Sequence, residues 1–229
     1  MSPWQSDEEL FSLVRRELFT AVVGDVLDAM GLRRQFLPPN IRPLDDHMVV
    51  IGRAVPVLEA DVLAEGDGDS DDPRGRPFGL MFRALDDLGP GEVYLCTGAS
   101  PRYALWGELM STRAIRRGAA GAVLDGYIRD THDIRRLGSP TFCHGSYAQD
   151  QGPRGKVIDF RAPLEIGQVR IEPGDLVFGD VDGVLIVPAG AVEEAIHRAG
   201  EKVRGEHQVR AALESGMSTS EAFATYGVM

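Results

Sequence analysis

The sequence has few cysteines, no long apolar run and no basic N-terminal segment. Its longest apolar stretches, such as residues 48–51 and 184–187, are far shorter than the roughly 20 residues that a helix needs to cross a bilayer. Cys96 and Cys143 have no CxxC or Cys/His ligand spacing near them, which argues against a zinc site and favours buried thiols in a reducing compartment. Residues 1–10 carry acids where a secretory signal would be basic. We therefore expect a cytoplasmic protein without a membrane span.

Basic charge is also scarce. The 24 Lys and Arg residues are outnumbered by 35 Asp and Glu residues, which gives a net charge of -11 at pH 7. A field of this sign repels phosphate backbones and anionic lipids, and the sequence has no local basic patch to overcome it. We therefore expect neither nucleic acid nor a membrane surface as a partner. The 43% of hydrophobic residues is typical of a globular protein, and the lack of a linker favours a single domain over residues 1–229.

One segment, residues 65–77, is unusually acidic. Asp67, Asp69 and Asp71 alternate along it, as do the ligands of a calcium-binding loop. Such a loop needs glycine at its sixth position and an acid at its twelfth, but the sequence has Asp72 and Phe78 there. The segment is therefore predicted to be a solvated surface loop.

Apolar spacing predicts two helices in the N-terminal part, residues 1–31, at about 6–19 and 21–30. The next regular segment, residues 48–58, is predicted to be extended. Gly52 and Pro56 interrupt it, which favours an edge strand or a strand with a bulge, because proline cannot donate a ladder hydrogen bond.

The middle of the chain alternates between strand and helix patterns, which predicts a β-α-β-α-β run. The predicted elements are helices at 78–88, 107–117 and 131–137, strands at 92–97, 121–124 and 141–144, and a loop at 125–130. The C-terminal third is predicted to form strands at 168–171, 176–179 and 184–188 joined by hairpin turns, followed by helices within residues 189–229. These patterns predict an α/β fold with a mixed central sheet.

The segment most informative about function begins with the turn at Gly107. Backbone N–H groups at a helix N-terminus and at the carboxyl ends of strands favour anions, and Glu108, Leu109 and Met110 follow this glycine. If the fold brings that turn beside Arg129, the guanidinium could hold one ligand carboxylate together with the helix amides.

The Asp130 carboxylate would then be available to bind a metal ion. The alternative is structural: Asp130 could simply cap the next helix beside a surface Arg129, and Glu108 could be an ordinary acid of a first helical turn.

Several motifs together resemble one known family. They are PGEV at 90–93, WGEL at 106–109, DGYIRD at 125–130, PGD at 173–175 and DVDGV at 180–184. The family, called RraA-like, contains the regulator of ribonuclease E activity A and the class II 4-hydroxy-4-methyl-2-oxoglutarate/4-carboxy-4-hydroxy-2-oxoadipate aldolases. The resemblance implies a single α/β domain of the swivelling β/β/α type, with a mixed central sheet, flanking helices and a C-terminal helical extension.

The same resemblance implies a site. In the aldolase members an acid precedes the Arg-Asp pair by twenty intervening residues, and Glu108 stands at that distance from Arg129, where the family usually has Asp. The implied roles are catalysis by Arg129 and Glu108 and binding of Mg²⁺ or Mn²⁺ by Asp130. Gly107, Glu108, Leu109, Met110 and Arg129 would bind the 2-oxo acid substrate.

The implied activity is cleavage of a 4-hydroxy-2-oxo acid to pyruvate and a carbonyl compound through an enolate, with oxaloacetate decarboxylation as a related reaction. The alternative is a non-catalytic regulator that binds a ribonuclease. Members of the family are homotrimers or larger rings such as homohexamers, and Glu201 or Glu206 could complete a neighbour's site. Both acids are also expected on an exposed helix face, where they would need no role.

Overall fold

A mixed eight-stranded sheet organises the chain, which we describe from a computed structural model over residues 4–62, 74 and 77–227. The strands of this sheet are β1 (Arg42–Pro43), β2 (Val50–Asp61), β3 (Glu92–Thr97), β5 (Gly121–Leu124), β7 (Thr141–Cys143), β8 (Gly155–Phe160), β11 (Leu176–Asp180) and β12 (Gly183–Val187). Their order is β1-β7-β5-β3-β2-β11-β12, and β8 pairs with β2. Two short pairs lie apart from it: β4 (Ala104–Trp106) with β6 (Tyr127–Ile128), and β9 (Leu164–Ile166) with β10 (Val169–Ile171).

Seven α-helices lie within the described residues: α1 (Asp7–Glu17), α2 (Thr20–Ala29), α3 (Met81–Asp87), α4 (Glu108–Arg117), α5 (Thr131–Leu137), α6 (Val192–Glu214) and α7 (Thr219–Tyr226). Their ends follow the local sequence. Gly118 (φ 79°) and Gly138 (φ 67°) adopt the left-handed conformation that ends α4 and α5. Ser6 and Ser218 cap α1 and α7. None of the helices described is both long and apolar enough to span a membrane.

Strand β2 is the centre of the sheet, so the prediction of an edge strand at residues 48–58 is wrong. It pairs in parallel with β3 along one side, and on the other side with β11 up to Arg53 and with β8 from Val57. Pro56 lies where the partner changes, and its carbonyl accepts the Arg161 N–H at 2.8 Å. Its missing N–H therefore interrupts neither antiparallel ladder. The predicted bulge does occur, where the pairing with β8 shifts at Leu58 and Glu59.

Alternation along the strands separates an inner from an outer core. Val50, Val123 and Val177 belong to one buried cluster with the β9–β10 hairpin, whereas Ile51 and Leu124 belong to clusters under the helices. The sheet is nearly closed around the inner cluster, because the guanidinium of Arg42 on β1 binds the carbonyls of the β11–β12 turn. The mixed α/β fold predicted from the sequence is thus confirmed.

Two groups of helices cover the outer face. Helices α1, α2 and α6 pack over β11, β12 and the start of β2, and we call this the closed region. Helices α3, α4 and α5 pack over β3, β5 and the end of β2, and we call this the cavity region. Both cover apolar residues, but the cavity region contains Gly107, Glu108, Arg129 and Asp130, whereas Glu201 and Glu206 lie on α6 in the closed region.

Some predicted boundaries differ. The helix predicted at 78–88 begins at Met81, because Phe78 (φ 63°) and Gly79 (φ 57°) have left-handed backbone and Gly79 bridges to Val157. The loop predicted at 125–130 contains β6. The acidic segment predicted as a surface loop at 65–77 lies outside the described residues except for Arg74 and Pro77.

Candidate functional site

The two parts of the predicted site are brought together by the short parallel pair β4–β6. Gly107 follows β4 and Arg129 follows β6, and the register places Trp106 opposite Ile128. The Arg129 N–H donates to the Trp106 carbonyl at 2.9 Å. Parallel neighbours end at the same edge, so the N-terminus of α4 and the Arg129–Asp130 pair lie side by side, as the sequence interpretation required.

Asp130 has an unusual backbone and an incompletely used carboxylate. Its φ of 56° is left-handed, which aspartate tolerates better than most residues. Its Oδ2 accepts the Glu108 N–H at 3.2 Å and lies 3.8 Å from Arg129 Nε. Within the described part of the chain, Oδ1 has no hydrogen bond, and the side chain caps no N–H of α5 although it occupies the cap position. The capping alternative therefore does not account for this side chain.

Gly107 makes this approach possible. A Cβ at Gly107 would lie 2.7 Å from Asp130 Oδ2, which is closer than real Cβ atoms come to other heavy atoms. A side chain at position 107 would push the carboxylate away from the α4 N-terminus. The glycine thus serves close packing against an acid and not a left-handed turn.

Arg129 is held by an acid that the sequence analysis missed. Its Nη1 lies 2.8 Å from Asp150 Oδ1. Asp150 belongs to the connection after β7, which is fixed by the Ala104 N–H donating to the Gln149 carbonyl at 2.9 Å. No local motif marks Asp150, because it reaches Arg129 through the tertiary fold. The Arg129 side chain is 42% exposed despite this pair, so it remains accessible.

A cavity of about 550 Å³ opens beside these residues, a volume typical of small-molecule sites. Its polar and charged lining includes Asp86, Arg113, Arg129, Asp130, Asp150 and Gln151. Its apolar lining includes Phe78, Met81, Phe82, Leu85, Leu109 and Met110. Among the predicted site residues, Gly107, Leu109, Met110, Arg129 and Asp130 line the cavity; the apolar residues of α3 were not predicted.

The N-terminus of α4 presents donors to this cavity that have no hydrogen-bond partner among the described residues. Its cap residue, Gly107, offers no side chain, and the first N–H groups of a helix have no partner within it. The N–H groups of Leu109 and Met110 are of this kind. Glu108 differs: its N–H binds Asp130, but its carboxylate accepts the Thr112 hydroxyl at 2.7 Å and is not part of the cavity lining described.

Beneath the cavity lies a buried acid, Glu59. Only 2% of this residue is exposed, and its carboxylate accepts the side-chain amide of Gln151, which lines the cavity. Burial raises the pKa of Glu59 to about 8, with a smaller increase from Asp61 and an opposing effect of the Gln151 hydrogen bond. At neutral pH the folded protein therefore holds Glu59 largely protonated, and this neutral acid supports the loop that carries Asp150.

The donor set is compatible with a cation that keeps most of its water. No group of three or more His, Cys, Asp or Glu side chains that could hold a metal occurs among the described residues, so a fully protein-coordinated site is not found there. Mg²⁺ commonly takes only one or two carboxylates and retains several waters. One Asp130 oxygen facing a cavity fits that chemistry.

The remaining acids considered from sequence lie elsewhere. Glu201 and Glu206 are on α6 in the closed region, 3.9 Å from His197 and 3.9 Å from Lys202, respectively. Neither contributes to the cavity lining described for this chain. A contribution to a neighbouring copy stays a prediction.

Comparison with known proteins identifies relatives over most of the chain. The family model described as RraA-like: Aldolase/RraA matches residues 20–186. A Halalkalibacterium halodurans protein named "Putative 4-hydroxy-4-methyl-2-oxoglutarate aldolase" is 30% identical over 91% of this chain and 90% of its own length. Protein DlpA of Legionella pneumophila is 28% identical over 90% of this chain, which spans only 32% of that longer protein.

A solved structure extends the comparison to the fold. RraAS2 of Streptomyces coelicolor, described as an unusual member of the RNase ES inhibitor RraA protein family, matches with a TM-score of 0.76 and 27% identity. The match covers 91% of this chain and 99% of that one. Aldolase names and an inhibitor name thus occur among relatives of similar identity.

Proposed function

Since the chain belongs to the Aldolase/RraA family, we propose that it is a divalent-metal-dependent lyase that cleaves a 4-hydroxy-2-oxo acid to pyruvate and a carbonyl compound. The observation that carries the proposal is the arrangement of Asp130, Arg129 and the α4 N-terminus around one end of the cavity. A surface used only for binding another protein has no need of an acid with an unused oxygen beside free helix amides.

The substrate is held by its carboxylate. In the proposed complex the carboxylate of the pyruvyl half accepts the N–H groups of Leu109 and Met110, where the helix dipole also favours negative charge. Arg129 lies beside the 2-oxo group. Asp150 keeps the guanidinium oriented, so little conformational entropy is lost when the substrate binds.

The reaction breaks the bond between C3 and C4. The 4-hydroxyl gives up its proton and its oxygen becomes the carbonyl of the released product, while the electron pair of the broken bond passes to the pyruvyl half as an enolate. Arg129 stabilises the negative charge that develops on the 2-oxo oxygen. Asp130 would hold Mg²⁺ or Mn²⁺, which supplies further positive charge beside that oxygen when bound.

Two proton transfers complete the reaction. We assign removal of the 4-hydroxyl proton to Glu108, acting through a water because its carboxylate is bound to Thr112 outside the cavity lining. The enolate then takes a proton from water at C3 and leaves as pyruvate, and Glu108 releases its proton to water. Oxaloacetate decarboxylation forms the same enolate, so we propose it as a second activity of this site.

A second candidate function is a non-catalytic regulator that binds a ribonuclease. The observation that favours it is the likeness to the Streptomyces structure described as an unusual member of the RNase ES inhibitor RraA protein family. We place it second because it leaves the Asp130 and Arg129 arrangement without a role.

The assembly and location are part of the same proposal: a homotrimer or homohexamer in the cytoplasm, with Glu201 or Glu206 reaching a neighbouring copy. Sedimentation of the purified protein tests the assembly. A trimer or a hexamer would support the proposed assembly, and a monomer or a dimer at assay concentration would contradict it.

Release of pyruvate tests the lyase proposal directly. The purified protein is incubated with 4-hydroxy-2-oxo acids or oxaloacetate, with Mg²⁺ or Mn²⁺ and separately with EDTA, and pyruvate is followed with lactate dehydrogenase. We expect release that requires the metal, and the relative rates distinguish cleavage from decarboxylation. Folded, metal-supplied protein that releases no pyruvate from any of them would contradict the proposal and favour the regulator.

A further inference from the structure

The cavity has a second end whose chemistry differs from that around Arg129. Helix α3 and the turn before it contribute Phe78 and Phe82, whose rings pack edge to face with centroids 5.6 Å apart. Phe82 is 57% exposed and Leu109, on α4, is 80% exposed, yet both line the cavity. Exposed apolar side chains are typical of surfaces that bind apolar ligand groups or another chain, and the position of these two on the lining of a small-molecule-sized cavity favours the ligand.

The charges of the cavity are already paired at this second end. Arg113 and Arg129 are the cationic side chains among the described lining residues. Arg113 binds Asp86 through Nε at 2.8 Å and Nη2 at 2.7 Å, so it is neutralised before any ligand arrives. Arg129 belongs to the pyruvyl end in the proposed complex. A second substrate carboxylate would therefore meet phenylalanine rings and an arginine whose charge is already offset by Asp86. The three aspartates among the described lining residues also outnumber the two arginines, so desolvation of that carboxylate would be poorly repaid.

Building on the proposed lyase function, we propose that the half of the substrate released as the carbonyl compound is apolar. The protein then prefers 4-hydroxy-2-oxo acids with one carboxylate and a hydrocarbon group on C4 over those with two carboxylates. Phe82 is the residue that determines this specificity, because its ring covers the wall and could be replaced by a cationic side chain without crowding the core. Each buried methylene of the ligand should strengthen binding roughly fourfold.

Binding of uncleavable analogues tests this preference without relying on turnover. Both 2-oxo-4-phenylbutanoate and 2-oxoglutarate lack the 4-hydroxyl, and they differ in having a phenyl group or a second carboxylate. Calorimetric titration in the presence of Mg²⁺ is expected to show at least roughly tenfold tighter binding of the phenyl compound. Equal or tighter binding of 2-oxoglutarate would overturn the inference, as would failure of both to bind.

Substitutions locate the preference. Phe82→Arg should weaken binding of the phenyl compound and strengthen binding of 2-oxoglutarate. The ratio of the two affinities, phenyl compound over 2-oxoglutarate, should therefore fall about tenfold or more. Phe223→Arg on α7 is the matched control, since Phe223 is 58% exposed and does not line the cavity described; its ratio should not change. Phe82→Ala provides a second variant that adds no charge and should weaken only the phenyl compound. Unchanged ratios in both Phe82 variants would contradict the assignment.

The same panel separates this inference from the lyase proposal. Cleavage of 4-hydroxy-4-phenyl-2-oxobutanoate and of 4-hydroxy-2-oxoglutarate is measured as pyruvate release. Tighter binding of the phenyl analogue without pyruvate release would contradict the lyase proposal but support an apolar binding site at the second end of the cavity. Pyruvate release with equal or higher kcat/KM for the dicarboxylate would support the lyase proposal and contradict the preference for an apolar substrate half.

Discussion

Two aspartates, one in each region of the outer face, lie at or just after the ends of short strands but use their oxygens differently. Asp180, at the end of β11 in the closed region, accepts the Thr20 N–H at 2.8 Å, the Thr20 hydroxyl at 2.7 Å and the Asp182 N–H at 2.9 Å. Asp130, after β6 in the cavity region, accepts one N–H at 3.2 Å. Both side chains are near a helix N-terminus, but both oxygens of Asp180 are used in hydrogen bonds that stabilise the fold.

The difference separates structural from functional acids better than residue type does. An aspartate whose oxygens are used by backbone donors stabilises a turn or a helix start and has no capacity left for a ligand. Asp175 in the closed region is of this kind, because it accepts the N–H groups of Glu172 and Ala189, each at 2.8 Å. An aspartate with one oxygen open to a cavity can bind a cation.

The largest effect is expected from Asp130→Asn. Asparagine tolerates the left-handed backbone and can still accept the Glu108 N–H, so the folded structure should persist. Loss of the negative charge should lower metal-dependent kcat/KM for pyruvate release by a factor on the order of 10² to 10³, with little change in Tm. Full activity in this variant would contradict the role of Asp130 in the site.

The reverse outcome is expected for Asp180→Ala. The variant leaves the buried Thr20 hydroxyl and the α2 N-terminus without their acceptor, which should lower the free energy of unfolding by about 2 kcal/mol. Activity per folded molecule should be unchanged. Asp182→Ala, two residues away, is the control and should change stability by less than about 0.5 kcal/mol. Denaturant unfolding measures the free energy of unfolding of both variants. Equal stability of Asp180→Ala and Asp182→Ala would contradict the structural role of the Asp180 carboxylate.

Glu59 sharpens the comparison, because it is a buried acid in the cavity region that is held neutral. Its pKa is raised to about 8 in the folded protein from 4.5, so between these values the folded protein keeps a proton that the unfolded chain releases. This contribution to the free energy of unfolding is fully present below about pH 4.5 and falls by roughly 1.4 kcal/mol per pH unit until about pH 8.

Glu59→Gln removes this titration while preserving the shape of the side chain. The wild-type protein should therefore lose stability relative to the variant as the pH rises from 5 to 8. Chemical denaturation of both proteins at several pH values measures the difference. Parallel stability profiles would contradict the protonated state of Glu59.

The smallest effect is expected at Asp150. Removing its carboxylate in Asp150→Ala frees the Arg129 guanidinium, which should raise KM up to about tenfold with a smaller change in kcat. Asp150→Asn keeps an oxygen acceptor and should recover part of the loss. Steady-state kinetics of the two variants check this order, and a kcat loss in Asp150→Ala as large as that of Asp130→Asn would give Asp150 a direct role.

The sequence was most informative where local signals agree. Gly118 and Gly138 end two helices, and the apolar run that follows each of them marks a strand, so these elements were predicted with nearly correct bounds. Strands β4 and β6 have three and two residues and carry no usable periodicity. The central position of β2 was missed because Gly52 and Pro56 resemble edge signals. In the structure, a Cβ at Gly52 would lie 2.3 Å from the Gly91 carbonyl, so close packing requires that glycine.

The site was predictable only in part for the same reason. Arg129 and Asp130 are adjacent in sequence and Gly107 begins a helix, so a local pattern contains them. Asp150 and Phe82 reach the cavity from other elements, through contacts that no spacing along the chain specifies. The use of the Glu108 carboxylate by Thr112 is likewise visible only with side chains in place.

Binding of Mn²⁺ tests the central claim most directly, because it compares the two aspartates without relying on a substrate. Electron paramagnetic resonance of free Mn²⁺ during titration gives the bound amount for the wild-type protein, Asp130→Asn and Asp180→Ala. We expect about one Mn²⁺ per chain in the wild type and in Asp180→Ala, and a large loss of affinity in Asp130→Asn. Equal Mn²⁺ binding by the wild type and Asp130→Asn would contradict the claim that the open oxygen of Asp130 forms a cation site.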